Sequence, residues 1–232
     1  MVQRRQWRGC GQGKRDLNNT DTQERIDALM ARYVSGLLPE PARVLVDAHL
    51  ELSPANRGIV TGLETLAGDA LEHIQPAPLH AADACLEKIF SSPAPQIRLP
   101  SRPRPGSLLP RAIAAFIGMD EDEIPWKMKM PGFRDYELGE IDGCHVELFW
   151  IKPGRAIPKH THEGMELSLV LDGAFNDDTG RYARGDISVN DETVDHRPIA
   201  EKTKPCIGMA VTDGPLRLTG SIGQRLSDIL LA

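Results

Sequence analysis

The sequence is poor in cysteine, in aromatic residues and in long apolar runs, and each shortage excludes a class of protein. Cys10, Cys85, Cys144 and Cys206 lie far apart with no CxxC pair. No dense disulfide framework is therefore expected, and a reduced, cytoplasmic compartment fits best. Aromatics are only 5% of the residues, so the core must rest on Leu, Ile, Val and Ala. No stretch approaches the roughly 20 apolar residues of a membrane-spanning helix. The polar stretch from Gly9 to Asp16 lacks the apolar centre of an export signal. Basic residues are outnumbered, 27 Lys and Arg against 33 Asp and Glu, giving a net charge of -6. That balance argues against a surface that binds nucleic acid directly. What remains, 41% hydrophobic and 26% charged residues over 232 positions, is a soluble chain long enough for two modest domains.

Proline, by contrast, is abundant and concentrated. Pro93, Pro95, Pro100, Pro103, Pro105 and Pro110 fall within twenty residues, a density that forbids helix and favours an extended spacer. Four segments follow: a flexible basic tail at 1–20, a helical domain at 21–92, a proline-rich linker at 93–109 and a β domain at 110–232. In the helical part Ile26, Leu29, Met30, Tyr33, Val34, Leu37 and Leu38 make one apolar stripe, which Pro39 and Pro41 should end. Further helices are expected around Val44–Leu52, Asn56–Ile74 and Ala81–Phe90. Residues 21–92 hold eleven acids against five bases, a net of -6, which suits a basic protein partner better than phosphate.

After a short helix near Pro110–Ile117 the texture changes to short β-type runs, Val146–Ile151, Leu167–Leu171, Ile187–Val189, Ile207–Val211 and Leu216–Leu218. Pro153-Gly154, Asp172-Gly173, Thr179-Gly180, Arg184-Gly185 and Asp213-Gly214 mark the turns between them. Many short strands with regular turns indicate a sandwich or small barrel. Within it, His160 and His162 are two residues apart, so on a strand both imidazoles leave one face. Glu166 has the same parity, with Gly164 keeping the row open. Two imidazoles and a carboxylate make half a divalent-metal site. The run from Gly154 to Gly173 resembles the first cupin motif, G-x5-H-x-H-x3-E-x6-G, and Gly185-Asp186 with Asp195-His196-Arg197-Pro198 resembles the second, which adds His196 as fourth ligand. His145 shares a face with Glu147 and is expected to be exposed. The ligand set alone admits two chemistries: a closed zinc centre, or an open iron, manganese or nickel site.

The whole arrangement resembles the ChrR family of anti-sigma factors. The resemblance is carried by Leu109-Pro110-Arg111-Ala112, Trp126-Lys127, Pro131-Gly132, the His160/His162/Glu166 group, Tyr182-Ala183-Arg184-Gly185-Asp186 and His196-Arg197-Pro198. It implies a small helical bundle followed by a cupin β-barrel or jelly roll. It also implies binding of an extracytoplasmic-function sigma factor by residues 21–92, zinc held by His160, His162, Glu166 and His196, and a response to oxidative stress such as singlet oxygen. The chain departs from the family's helical zinc motif, H-x3-C-x2-C with an upstream His. His49 is present, but Ser53 and Asn56 stand at the two cysteine positions and Glu24 at the upstream one. Hydroxyl and amide are poor zinc ligands, so no zinc is expected in the helical half. A metal-dependent cupin enzyme with a degenerate helical appendage is the alternative function, and a homodimer is compatible with either.

Overall fold

Among the described residues, five α-helices of seven or more residues precede or border an all-antiparallel β domain. The computed structural model describes residues 19–93, 106–224 and 228. The expected basic tail lies outside the described residues apart from its last two positions, which open the first helix. Most of the expected linker also lies outside them. The helices are α1 (Asn19–Val34), α2 (Glu40–Leu52), α3 (Pro54–Glu72), α4 (Ala82–Ser91) and α5 (Arg111–Ile117). α1 stops a turn before the prolines expected to end it. Gly36 takes a left-handed conformation (φ 64°), and its N–H and that of Leu37 close back onto the carbonyls of Tyr33 and Arg32, a glycine-based C-terminal cap.

The strands are β1 (Lys127–Met130), β2 (Phe133–Ile141), β3 (Cys144–Ile151), β4 (His160–His162), β5 (Glu166–Asp172), β6 (Ala174–Asn176), β7 (Arg181–Ala183), β8 (Ile187–Asn190), β9 (Ile199–Ala200), β10 (Cys206–Thr212) and β11 (Leu216–Leu218). They form a six-stranded sheet in the order β1-β2-β3-β10-β5-β8, a three-stranded sheet β7-β6-β9 and a two-stranded sheet β11-β4. The β1–β2 hairpin was not expected from the sequence.

Alternation along the strands gives the large sheet two unlike faces. On the outer face Val146, Leu148, Leu167, Leu169, Ile187, Val189, Met209 and Val211 join Leu29 and Met30 of α1, Val44 and Leu45 of α2, and Ile113 of α5 in one apolar cluster. On the inner face Phe149, Ile151, Val170, Cys206 and Ala210 meet Phe133, Phe175 and Tyr182 in a second cluster. β5, whose first six residues are all buried, is covered on both sides, which explains why Leu167–Leu171 reads as a near-continuous apolar run. Polar ties reinforce the outer packing. Arg25 of α1 pairs with Asp191 at 2.8 Å, and the Glu51 carboxylate accepts the N–H groups of Arg111 and Ala112 at 2.9 and 3.0 Å, capping α5.

Packing of the helices is uneven. α2 buries seven residues, whereas α3 buries only Val60 and α4 none.

Candidate metal centre

The structure brings His160, His162, Glu166 and His196 together, all four buried, with one potential ligand atom from each within 4.8 Å of the others. They do not share one strand face. β4 supplies the two histidines and pairs with β11 in the small sheet, while Glu166 opens β5 of the large one, between β10 and β8. The turn between them needs Gly164 for a reason other than an open row: a Cβ there would lie 2.0 Å from Asp213 Oδ1, the atom that accepts the Met165 N–H at 2.6 Å. His196 arrives by an isolated bridge to His160, with reciprocal backbone hydrogen bonds of 3.0 Å.

The ring nitrogens are set up by what lies behind them. His160 Nδ1 donates to the Pro158 carbonyl at 2.8 Å, and His196 Nδ1 donates to Asp177 Oδ2 at 3.0 Å. In the neutral tautomers those bonds select, both Nε2 lone pairs point inward, and they lie 3.0 Å apart. Two lone pairs at that distance repel unless a cation or a proton stands between them. Glu166 Oε2 lies 3.3 Å from His162 Nε2 and 3.6 Å from His196 Nε2. Buried His162 Nδ1 has no hydrogen-bond partner among the described residues. A tetrahedron built on metal–nitrogen bonds of about 2.0–2.1 Å has edges of roughly 3.3 Å. The cluster matches that size and chemistry, and these four residues could hold a metal ion.

Electrostatics point the same way. Burial, aided by the neighbouring His196, pushes His160 down to about 4. Burial opposes ionisation of Glu166, yet His162, His196 and His160 hold its carboxyl far below the usual range. For His196 burial is outweighed by the hydrogen bond to Asp177 and the charge of Glu166, and its pKa rises. Asp177 was not singled out in the sequence, and neither was Asn190, whose Nδ2 donates to Glu166 Oε2 at 3.0 Å. Only the neighbouring Thr179-Gly180 turn signal was visible. In the fold Asp177 Oδ1 accepts from the Thr179 N–H and hydroxyl at 2.8 and 2.6 Å, which fixes Oδ2 behind His196. A carboxylate behind a ligating imidazole orients the ring and raises its basicity.

A second group, Glu137, His145 and Glu147, also places potential ligands within 4.8 Å. Its positive charge is already supplied by Lys129, whose Nζ lies 2.7 Å from Glu137, 2.6 Å from Asp135 and 3.6 Å from Glu147. His145 is half-buried rather than exposed. Cys144 and Cys206 are buried, and burial pushes both thiols up to about 12, so neither is a reactive thiolate.

At the departed helical motif, His49 is 3% exposed and fully bonded. Its Nδ1 donates to the Gly185 carbonyl at 2.6 Å, and the Asn56 amide donates to its Nε2 at 2.8 Å. Asn56 takes up the lone pair that a metal would use, while Gly185 ties α2 to the β7–β8 turn. Ser53 closes α2, its N–H bonded to the His49 carbonyl at 2.7 Å, and Glu24 is exposed on α1.

Comparison with known proteins places this geometry. A family model described as the ChrR cupin-like domain matches residues 115–216. The anti-sigma-E factor ChrR of Cereibacter sphaeroides is 34% identical over 196 residues, covering 82% of this chain and 89% of that protein. The crystal structure of Rhodobacter sphaeroides SigE in complex with the anti-sigma ChrR matches with a TM-score of 0.67 and 33% identity, over 81% of this chain and 96% of that one.

Proposed function

This chain belongs to the ChrR family of anti-sigma factors, and from that premise we propose that it holds an extracytoplasmic-function sigma factor through residues 21–92 and so keeps it from transcription. The observation that carries this reading is the free apolar surface of the helical half. α4 has no buried residue, and Phe90 is 82% exposed. Leu86 and Ile89 beside it, with Leu66, Leu71, Ile74 and Leu79 along α3 and the loop after it, are exposed too. So many exposed apolar side chains on an otherwise acidic helical unit suit a protein-binding surface. The related ChrR was solved bound to SigE, which supports a partner of the same class. Among the described residues no helix is long and apolar enough to cross a membrane. The place of action in this proposal is the cytoplasm, where a sigma factor meets RNA polymerase. Direct contact with DNA is not part of this function.

The barrel is the sensory half of the proposal. His160, His162, Glu166 and His196 hold zinc, whose role when bound is to tie β4, β5 and the His196 turn into one unit. The transmission route follows from β5 itself. Glu166 faces the centre, whereas Leu167 and Leu169 on the opposite face pack in the cluster shared with α1 and α2. A change at the centre, such as oxidative damage to its ligands, therefore has a direct route to the helices along β5.

Co-expression of the chain with candidate sigma factors, followed by affinity purification, tests the partner. A sigma factor should co-purify with the intact chain and be lost with Phe90→Asp/Ile89→Asp. Failure of the intact chain to retain any sigma factor would overturn the reading.

A further inference from the structure

His196 differs from the other three members of the cluster in what carries it. His160 and His162 lie on β4 and Glu166 on β5, all within paired strands. His196 lies in the connection between β8 and β9, residues 191–198, and meets β4 through an isolated bridge to His160. A side chain on such a connection is placed only as well as the connection is tied down, because no strand ladder fixes its register. The start of the connection is pinned to the helices: Asp191 accepts the Thr193 N–H at 2.9 Å and pairs with Arg25 of α1 at 2.8 Å. Its far end, where His196 sits, is held by another part of the chain.

Asp195 and Arg197 flank His196, and both are bound by residues that follow β11. Asp195 Oδ1 accepts the Thr219 hydroxyl. Arg197 Nε donates to Asp228 Oδ2 at 3.0 Å, and Arg197 Nη2 donates to Asp228 Oδ1. Such a two-pronged pairing of guanidinium and carboxylate fixes orientation as well as distance. The same part of the chain also touches the entrance to β4. The N–H groups of Thr219 and Gly220 donate to the Lys159 carbonyl, beside His160, at 3.0 and 3.4 Å. Gly220 lies so close that a Cβ there would stand 3.2 Å from Lys159 Cβ, and Lys159 Nζ lies 3.6 Å from Asp195 Oδ2. Thr219, Gly220 and Asp228 thus hold the neighbours of His160 and of His196 without supplying a ligand themselves.

Burial sets the strength of this hold. Asp228 is 5% exposed. A carboxylate taken that far out of water must be matched by a partner, and parting it from Arg197 would leave an uncompensated buried charge. The His196 connection therefore cannot swing away from β4 without breaking the ion pair. An ion held by the cluster leaves by detaching from one ligand at a time, and the ligand outside the strand ladders is the easiest to detach.

We propose that Asp228 is a positioning residue for the cluster: paired with Arg197, it clamps the His196 connection against β4 and so slows the release of a metal ion held there. This rests on the reading of His160, His162, Glu166 and His196 as a metal centre. It gives the chain after β11 a part in metal retention that no ligand motif marks.

The test uses the full chain loaded with one equivalent of Co2+ and times the loss of its visible bands in excess EDTA. Asp228→Asn, which keeps the shape and removes the charge, should release Co2+ about tenfold faster or more, with altered ligand-field bands and one ion still bound at saturation. Asp228→Glu, which keeps the charge, should restore most of the native rate. Thr219→Val removes the second tie and should speed release by a smaller factor. Thr219 is exposed, so this variant carries the test if Asp228→Asn does not fold. Release at the native rate in Asp228→Asn, or in Thr219→Val where Asp228→Asn does not fold, would overturn the proposal. So would faster release in Asp228→Asn with unchanged bands and no rescue by Asp228→Glu, the pattern of a merely weakened fold. A native chain that takes up no Co2+ would overturn the metal reading itself, and this proposal with it.

Discussion

The barrel cluster and His49 make an instructive pair, because both put buried imidazoles where a metal-binding relative could use them. In the barrel the outward nitrogens of His160 and His196 are tied to Pro158 and Asp177, so both inner lone pairs converge on one point with Glu166. At His49 each ring nitrogen already has a partner, the Gly185 carbonyl on one side and the Asn56 amide on the other. A histidine is thus read as a ligand or a structural hydrogen bonder by what completes its second nitrogen. Burial does not separate the two sites: His49 is 3% exposed and the three cluster histidines 2%.

The largest expected effect comes from removing the convergence itself. His160→Ala/His162→Ala takes away two of the four proposed ligands, and metal content measured by elemental analysis should fall from about one equivalent to nearly none. The helical half, packed through its own apolar contacts, should still fold and be seen as retained helical circular dichroism. Metal retained in the double variant would mean that the two sites have been told apart wrongly.

A smaller loss should follow from Asp177→Asn, which touches no ligand atom. An amide at this position can keep accepting from Thr179, but its NH2 would face His196 Nδ1 and drive the ring proton onto Nε2, where the lone pair is needed. Metal affinity should drop about 10–100-fold, measured by competition with a chromophoric chelator. An unchanged affinity would show that Asp177 only closes its turn.

How far the sequence carried these distinctions depended on range. Helices α1 to α4 follow from apolar spacing, and the cupin-like motif named the four residues that the fold gathers into one buried cluster. The β1–β2 hairpin escaped because Lys127–Met130 and Phe133–Ile141 are rich in charge, with Gly139 at an irregular register. Tyr136 and Leu138 of β2 do pack on the apolar cluster, but the residues between and opposite them, Lys129, Asp135 and Glu137, are charged and pair with one another, which hides the alternation. Asp177 and Asn190 were out of reach for another reason. Each is an ordinary turn or strand residue by type, and only tertiary packing brings it behind His196 or Glu166. The same holds for His49, whose bond to Gly185 spans 136 residues.

The comparison sharpens further with His49→Ala. It leaves the Gly185 carbonyl and the Asn56 amide without this partner at the junction of α2 and the β7–β8 turn. The loss should be about 1–3 kcal/mol of stability in a denaturant titration, with metal content unchanged. Loss of metal in step with stability would show that the two sites are coupled.

The smallest effect is the pH dependence of that same junction. Burial lowers the His49 pKa below 6.5, outweighing the hydrogen bond to Gly185 and the charge of Asp186 that act the other way. The folded protein therefore prefers neutral His49, while the unfolded chain takes up the proton near pH 6.5. The stability this provides is complete above that pH and is lost as pH falls through the window between 6.5 and the lower folded value. For one proton the slope is at most about 1.4 kcal/mol per pH unit. A metal held by the barrel cluster would also be released in acid at a cost in stability, so the informative quantity is the difference between the native chain and His49→Gln. Glutamine offers one donor and one acceptor to the same two partners but does not titrate. Denaturant midpoints measured from pH 7.5 to 5.5 should fall less steeply for His49→Gln. Parallel curves would mean that His49 keeps its proton balance on unfolding and that acid lability belongs to the barrel cluster alone.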